Sequence, residues 1–389
     1  MIKSTLTQRW MVGRRRALAP LAALMAAATL AACGGGDDAT AAAPENKISA
    51  EVPDYYPEDY QDIIDGSKDE GGELEIYSNT DQENWAPIFR DFQKKYPWVE
   101  TINANNLDSD EVFQRVLSEQ ATGGSPADIL VSNAAQAWAE YGQDEANVMS
   151  YESPELGELP EFATLMPNVY GFSMDPIVIP YNTSLLPEAP TGTADLARIV
   201  SENPEEFADK LTVRDIGGAF GFTVAYTLMD ARPDLWESME QLLPLARPET
   251  SSGTQNEKIL AGEYVAGINI SAAPSYPVVK DSGGLFEVDF LDDGTVVLPR
   301  GIAIAPDAPH ANTAKLFLDF VLSQEGQAAT SEGGLTSYRD SVEAAEGRHT
   351  YQELVDAVGE DQVIIAGYEL ISDDEVAAFT ERWNGLLEG

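Results

Sequence analysis

Between residues 72 and 141, short apolar runs alternate three times with runs of helical period, and this alternation narrows the fold more than any other feature of the chain. Leu74-Glu75-Ile76-Tyr77 reads as a strand. Trp85, Ile88, Phe89 and Phe92 then fall on one helix face, and Pro97 closes the run. Val99–Asn103 reads as a second strand. Val112, Phe113, Val116 and Leu117 line a second helix, which stops at Gly123-Gly124. Asp128–Val131 reads as a buried strand and Ala134–Tyr141 as a third helix. Strand–helix–strand order of this kind predicts a mainly parallel sheet with helices on both faces.

A second set of elements follows. Ile177–Asn182 is an apolar strand that carries Pro180. Strands are predicted at Lys210–Val213, Val265–Ile270, Phe286–Phe290, Val296–Leu298 and Gly301–Ala305. Helices are predicted at Phe222–Asp230, Asp234–Leu243 and Lys315–Leu322, with a last apolar stripe on Val376, Phe379 and Trp383. Pro57–Gly66 reads as a short helix ahead of the first strand. The length suits two domains of ordinary size.

The first residues read as an export signal. Lys3, Arg9 and Arg14-Arg15-Arg16 form a basic region, and a small apolar run from Ala17 to Ala32 follows. That run is too short and too alanine-rich for a membrane span. Cys33 is the one cysteine in the chain, and Leu30-Ala31-Ala32-Cys33-Gly34 resembles the bacterial lipobox. A signal peptide over 1–32 and lipid attachment at Cys33 are therefore expected, with a flexible Gly/Ala/Asp-rich tether over 33–55. Arg14-Arg15 leaves twin-arginine export open as the alternative to the general route.

Charge excludes several functions. The formal net charge is −43, and five of the 23 Lys+Arg residues lie in 1–32, which leaves 18 against 66 Asp+Glu. A nucleic-acid binder needs a basic face to displace counterions, and a polybasic hold on anionic lipid needs the same. The acids read first as a solubilising surface. His310 and His349 are the two histidines, so nucleophile–base catalysis and soft-metal sites have few residues to draw on. Neither an enzyme, a cofactor nor a metal site is expected.

Four places, in order and at workable spacing, carry a family resemblance. They are Glu73–Ser78 with its amphipathic helix, Gly123-Gly-Ser-Pro-Ala-Asp-Ile129, Ile177-Val-Ile-Pro-Tyr-Asn-Thr183, and Ala314–Ala328 with Ser323-Gln-Glu-Gly-Gln327. Over about residues 72–335 the chain resembles the ABC-transporter solute-binding lipoproteins, in the branch similar to ferric-ion-binding periplasmic proteins. The resemblance implies an α/β, two-lobe periplasmic-binding fold of type II, each lobe a mainly parallel sheet flanked by helices. Two crossing strands would join the lobes. It places 72–179 plus 301–335 in lobe 1 and 182–298 in lobe 2, with crossings near Pro180–Asn182 and Arg300-Gly301. Residues 336–389 form a C-terminal helical segment assigned to neither lobe. It also implies an exported protein, lipid-anchored to the outer face of the cytoplasmic membrane, and an ABC permease as partner. An exported enzyme on a binding-protein scaffold is the alternative of another class, opposed by the scarcity of histidine, and a purely structural envelope lipoprotein is disfavoured by the two α/β halves.

The iron-binding members use a His, an acid and two adjacent tyrosines. Here those places hold Asp81, Asn133 and Ala272-Ala273, with Tyr276 alone nearby. A hard cation wants hard anionic oxygens. A small organic or phosphorylated anion is therefore expected, with ferric ion as the alternative. Asp215-Ile-Gly-Gly-Ala-Phe-Gly221 and Thr250-Ser-Ser-Gly-Thr254 each precede a helix, where N–H groups favour an anion at about 0.3–1 kcal/mol per charge. Ordinary capping by Ser251, Ser252 and Thr254 is the other reading of the second stretch. The candidate ligand residues are Asn79, Thr80, Asp81, Asn133, Gly218, Ala219, Phe220, Ser251, Ser252, Gly253, Thr254, Ser271 and Tyr276. Arg214 is read either as an anion partner or as a surface ion pair. Trp85 is read as core.

Overall fold

A computed structural model describes residues 51–389. The expected signal peptide, Cys33 and the tether up to residue 50 lie outside the described residues. The chain is already held to the fold at the end of the expected tether. Tyr55 and Tyr56 both donate to the buried Glu155 carboxylate, at 3.0 and 2.6 Å.

The strands, in chain order, are β1 (Glu73–Ser78), β2 (Thr101–Asn106), β3 (Ile129–Ser132), β4 (Thr164–Met166), β5 (Val169–Asn182), β6 (Leu211–Arg214), β7 (Ala246–Glu249), β8 (Ala266–Ile268), β9 (Ile270–Ser271), β10 (Phe286–Asp289), β11 (Thr295–Ile304) and β12 (Val363–Ile365). Their order is β2-β1-β3-β11-β5-β8-β6-β7. The strands β4, β9 and β10 join β5, and β12 joins β11. β1 pairs in parallel with β2 and β3, and β6 with β7 and β8. Parallel neighbours require a crossover between them, here the helices Gln82–Lys95 and Glu111–Gln120 in the first lobe. This is the two-lobe α/β periplasmic-binding fold of type II.

Each lobe has its own core. In the first, the helix stripe of Trp85, Ile88 and Phe92 is fully buried against Ile76, Phe172 and Phe317. Trp85 stacks on Phe89 and Phe172 at 5.1 and 5.3 Å. In the second, Leu211, Val213, Val224, Leu228, Met239 and Ile268 are buried together. The final helix, Asp373–Leu387, adds Phe379 and Trp383 to that second core.

The crossing strands differ from the sequence expectation. β5 is one strand of 14 residues and β11 one of 10, buried throughout. The apolar pattern had shown only the second half of β5, and had cut β11 in two at Pro299-Arg300. Polar residues interrupt both runs because they face each other. Arg300 Nη2 donates to Asp175 Oδ2 at 3.1 Å, inside the sheet. β5 pairs with β11 over Tyr170–Pro176, then with β9 and β10 from Ile177 to Asn182. Its change of partner therefore falls at Pro176/Ile177, ahead of Pro180. The expected 336–389 segment is more than helical. β12 pairs in parallel with the start of β11, and Tyr368 Oη bridges the bulge at Arg300/Gly301, donating to Pro299 O and accepting from Gly301 N. Gly301 must be a glycine here, since a Cβ would meet Trp138 Nε1 at 2.7 Å.

Candidate functional site

In a doubly wound sheet the loops after the strand carboxyl ends converge. Here they enclose a cavity of about 660 Å³. The first lobe contributes Asn79, Thr80 and Asp81 after β1, Asn106–Ser109 after β2, and Asn133 after β3. The second contributes Arg214 at the end of β6, Phe220 at the start of the next helix, Thr250–Gly253 after β7, and Ser271, Ala273 and Pro274 after β9.

The first wall is held by short polar bonds. Asn79 Nδ2 donates to Asn133 Oδ1 at 2.6 Å, and Thr80 N to Ser78 Oγ at 2.9 Å. Asn106 Nδ2 donates to Asp81 Oδ1 at 3.0 Å. In the second wall Ser251 caps the helix Ser252–Leu260, its hydroxyl accepting from Thr254 N at 3.5 Å. That stretch caps a helix, and it also lines the cavity.

Three arginines line the cavity. Arg300, on β11, is only 7% exposed. Its Nη1 donates to Asn79 Oδ1 at 2.9 Å and to Thr80 Oγ1 at 3.1 Å, its Nη2 to Asp175, and its Nε has no partner. Arg214 lies over the Phe220 ring at 4.8 Å and makes neither a hydrogen bond nor an ion pair. Burial holds its guanidinium below the ordinary value, against the pull of Asp215 and Asp108. Arg348 donates to Ala273 O at 2.9 Å and lies over the Tyr276 ring at 5.2 Å. Burial lowers it in the same way, opposed by Tyr276 and Asp175. Guanidiniums stay charged through such shifts.

Those two arginines stand apart. Of the ten described arginines, Arg90, Arg115, Arg198, Arg247, Arg300, Arg339 and Arg382 have a carboxylate within ion-pair distance. Arg214, Arg232 and Arg348 do not, and Arg232 donates to the carbonyl of Asp361. In so acidic a chain, two of the three arginines without a carboxylate partner line one cavity.

The expected site residues divide as follows. Asn79, Thr80, Asp81, Asn133, Phe220, Ser251, Ser252, Gly253 and Ser271 line this cavity. Gly218 and Ala219 line a second cavity of about 380 Å³, which also takes in Arg214, Phe220 and Ser251. Thr254 and Tyr276 line neither. Thr254 sits inside the first turn of its helix, and Tyr276 is packed against Val178 and Ala272, 5% exposed, its hydroxyl without a partner. Ser252 is only 7% exposed and accepts from Ser271 N. Arg300 and Arg348 went unread. A cation within the apolar run Val296–Ala305 was a visible signal for Arg300; nothing in the sequence pointed to Arg348.

Among the described residues, no group of three or more His, Cys, Asp or Glu is placed to hold a metal, and no helix is long and apolar enough to cross a membrane. The chain is 23% identical over 283 residues to Iron uptake protein A1 of Synechocystis, covering 66% of this chain and 72% of the relative. Its fold is similar to that of an ABC-transporter substrate-binding protein from Agrobacterium tumefaciens (TM-score 0.71, 20% identity, 82% of this chain and 96% of that one). It is also similar to AfuA from Actinobacillus pleuropneumoniae with fructose-6-phosphate bound (0.62, 18%, 81% and 98%) and to iron-bound HitA from Pseudomonas aeruginosa (0.63, 19%, 81% and 99%). The sequence profile of the bacterial extracellular solute-binding proteins matches residues 88–355. The chain belongs to that family of extracellular solute-binding proteins.

Proposed function

We propose that this protein captures a small organic or phosphorylated anion in the cavity between its lobes, lipid-anchored through Cys33 at the outer face of the cytoplasmic membrane, and delivers it to the permease. The observation that carries the reading is the pair Arg214 and Arg348, cations without carboxylate partners on the cavity wall. Charge-assisted hydrogen bonds contribute about 1.5–3 kcal/mol each, so a few suffice for the roughly −8 kcal/mol of micromolar binding. Because contacts come from loops of both lobes, the anion would favour the closed state.

Ferric ion is the second reading, favoured by the iron-uptake relative and the iron-bound neighbour. Its oxygen ligands here would be Asp81 and Tyr276. Burial raises the Tyr276 hydroxyl above its ordinary value, whereas coordination requires its deprotonated form.

A thermal-shift screen with sugar phosphates, phosphonates, carboxylates and Fe(III)-citrate tests the reading. A ligand at a hundred times its Kd stabilises by about 2.7 kcal/mol. An organic or phosphorylated anion is expected to raise Tm. A rise with Fe(III) alone, with a visible tyrosinate band lost in Tyr276→Phe, would replace the anion by iron.

A further inference from the structure

We infer that the ligand is a dianion — a phosphate monoester, a phosphonate or a dicarboxylate — and that Arg214, Arg300 and Arg348 select for its second negative charge. The inference rests on the anion reading above and adds the charge state.

The charges on the cavity wall lead to it. Asp175 meets the charge of Arg300, so that side chain offers a hydrogen bond rather than net charge. Its Nε is a buried donor with no partner, on a residue that lines the cavity. Buried donors are almost always paired, so this one is left with a hydrogen bond to give. Arg214 and Arg348 add two positive charges that no carboxylate meets, and both are half-buried. A monoanion can meet one of these two guanidiniums; a dianion can meet both.

Asp81, Glu83 and Asp108 also line the cavity, but all three are exposed. Water and salt screen exposed charges more than half-buried ones, so the arginines dominate the interior of the site. The guanidinium fork also matches the oxygens of phosphoryl and carboxylate groups.

The test uses matched pairs that differ by one charge at similar shape. These are glycerol 3-phosphate and its methyl diester, phenylphosphonate and benzenesulfonate, and succinate and succinamate. Binding of each is measured by titration calorimetry at pH 7.5. At least one dianion is expected to bind tenfold or more tighter than its monoanionic partner. That advantage should shrink below threefold in Arg214→Gln and in Arg348→Gln. For a phosphate monoester, whose second ionisation lies near pH 6, affinity should fall about tenfold between pH 7.5 and pH 5, since the arginines do not titrate there. Equal binding within every matched pair overturns the dianion inference and leaves the anion reading standing. If none of the six binds, both fall. The matched comparison needs no variant, so it decides the matter even where a variant misfolds.

Discussion

Two of the buried carboxylates, Asp175 and Asp319, are held in opposite ways. In the crossing strands, Asp175 receives Arg300 Nη2 at 3.1 Å, the Ser173 hydroxyl and the Thr336 N–H. In the first lobe, Asp319 is 1% exposed and receives three hydroxyls, from Tyr60, Tyr151 and Ser153 at 2.7, 2.6 and 2.6 Å. No arginine or lysine pairs with it among the described residues. Desolvation therefore dominates, and its pKa rises to about 7 despite the three donors. A partner charge, rather than hydrogen bonds alone, separates the two. The paired site lies where the lobes meet and the cavity begins; the unpaired one lies on the helix Ala311–Leu322, in the first lobe's own packing.

The largest effect should come from breaking the pair. Arg300→Met leaves Asp175 buried without a cation, a change that costs about 3–5 kcal/mol. Urea unfolding should show this loss, and Arg300→Met with Asp175→Asn should recover much of it. Recovery that fails to appear would mean that Arg300 acts mainly through Asn79 and Thr80.

Next comes the clamp on the same crossing strand. Tyr368→Phe removes the bridge between Pro299 and Gly301, leaving a buried N–H unpaired at a cost of about 1–3 kcal/mol. Because β11 runs through both lobes, the variant should also change ligand affinity, as read by calorimetry. A stability loss with unchanged affinity would confine Tyr368 to packing.

The unpaired carboxylate predicts a pH dependence of definite sign. Asp319 holds its proton to about pH 7 when folded, whereas an unfolded aspartate loses it near 3.9. Between these values the native state binds the extra proton, so the stability it brings is present at low pH and is lost as pH rises toward 7. A single proton gives a slope of up to about 1.4 kcal/mol per pH unit. The difference in unfolding free energy between wild type and Asp319→Asn should therefore change with pH across 4–7. A constant difference would show that Asp319 is ionised throughout.

The smallest effect on stability belongs to Thr250→Glu. Thr250 is exposed and lines the cavity, so stability should change by less than about 0.5 kcal/mol. Anion affinity should nonetheless fall, because the new carboxylate opposes the ligand. Unchanged affinity for the anion found in the screen would remove the loop after β7 from the site.

The first lobe was the more legible half, for a local reason. Trp85, Ile88 and Phe92 repeat at helical spacing because one helix face is buried, and Ile129–Val131 is apolar because its strand is covered on both faces. The crossing strands defeated the same reading. Ser173, Asp175 and Arg300 break the apolar pattern, yet they bond to one another: Ser173 donates to Asp175 two residues on, and Asp175 also accepts from Arg300 on the next strand and from Thr336 N. The loops after the strands were legible as site candidates, since small and hydroxyl residues stand there in chain order. Two residues at helix starts were not: Thr254 lies one turn inside the helix that Ser251 caps, and Tyr276 is turned into the packing at the start of the helix Tyr276–Asp281.

By itself, then, the sequence determined the alternation of strands and helices and most of the loops at the strand ends, because those depend on patterns within a few residues; the two-lobe class came with the family resemblance. Tertiary structure alone decided which charges meet. Arg300 on β11 reaches Asp175 on the neighbouring β5, Arg348 arrives from the C-terminal segment to lie over Tyr276, and Arg214 is left without an acid at ion-pair distance. Pairing of a cation is settled by neighbours far apart along the chain, and only the folded arrangement leaves two of them facing the cavity.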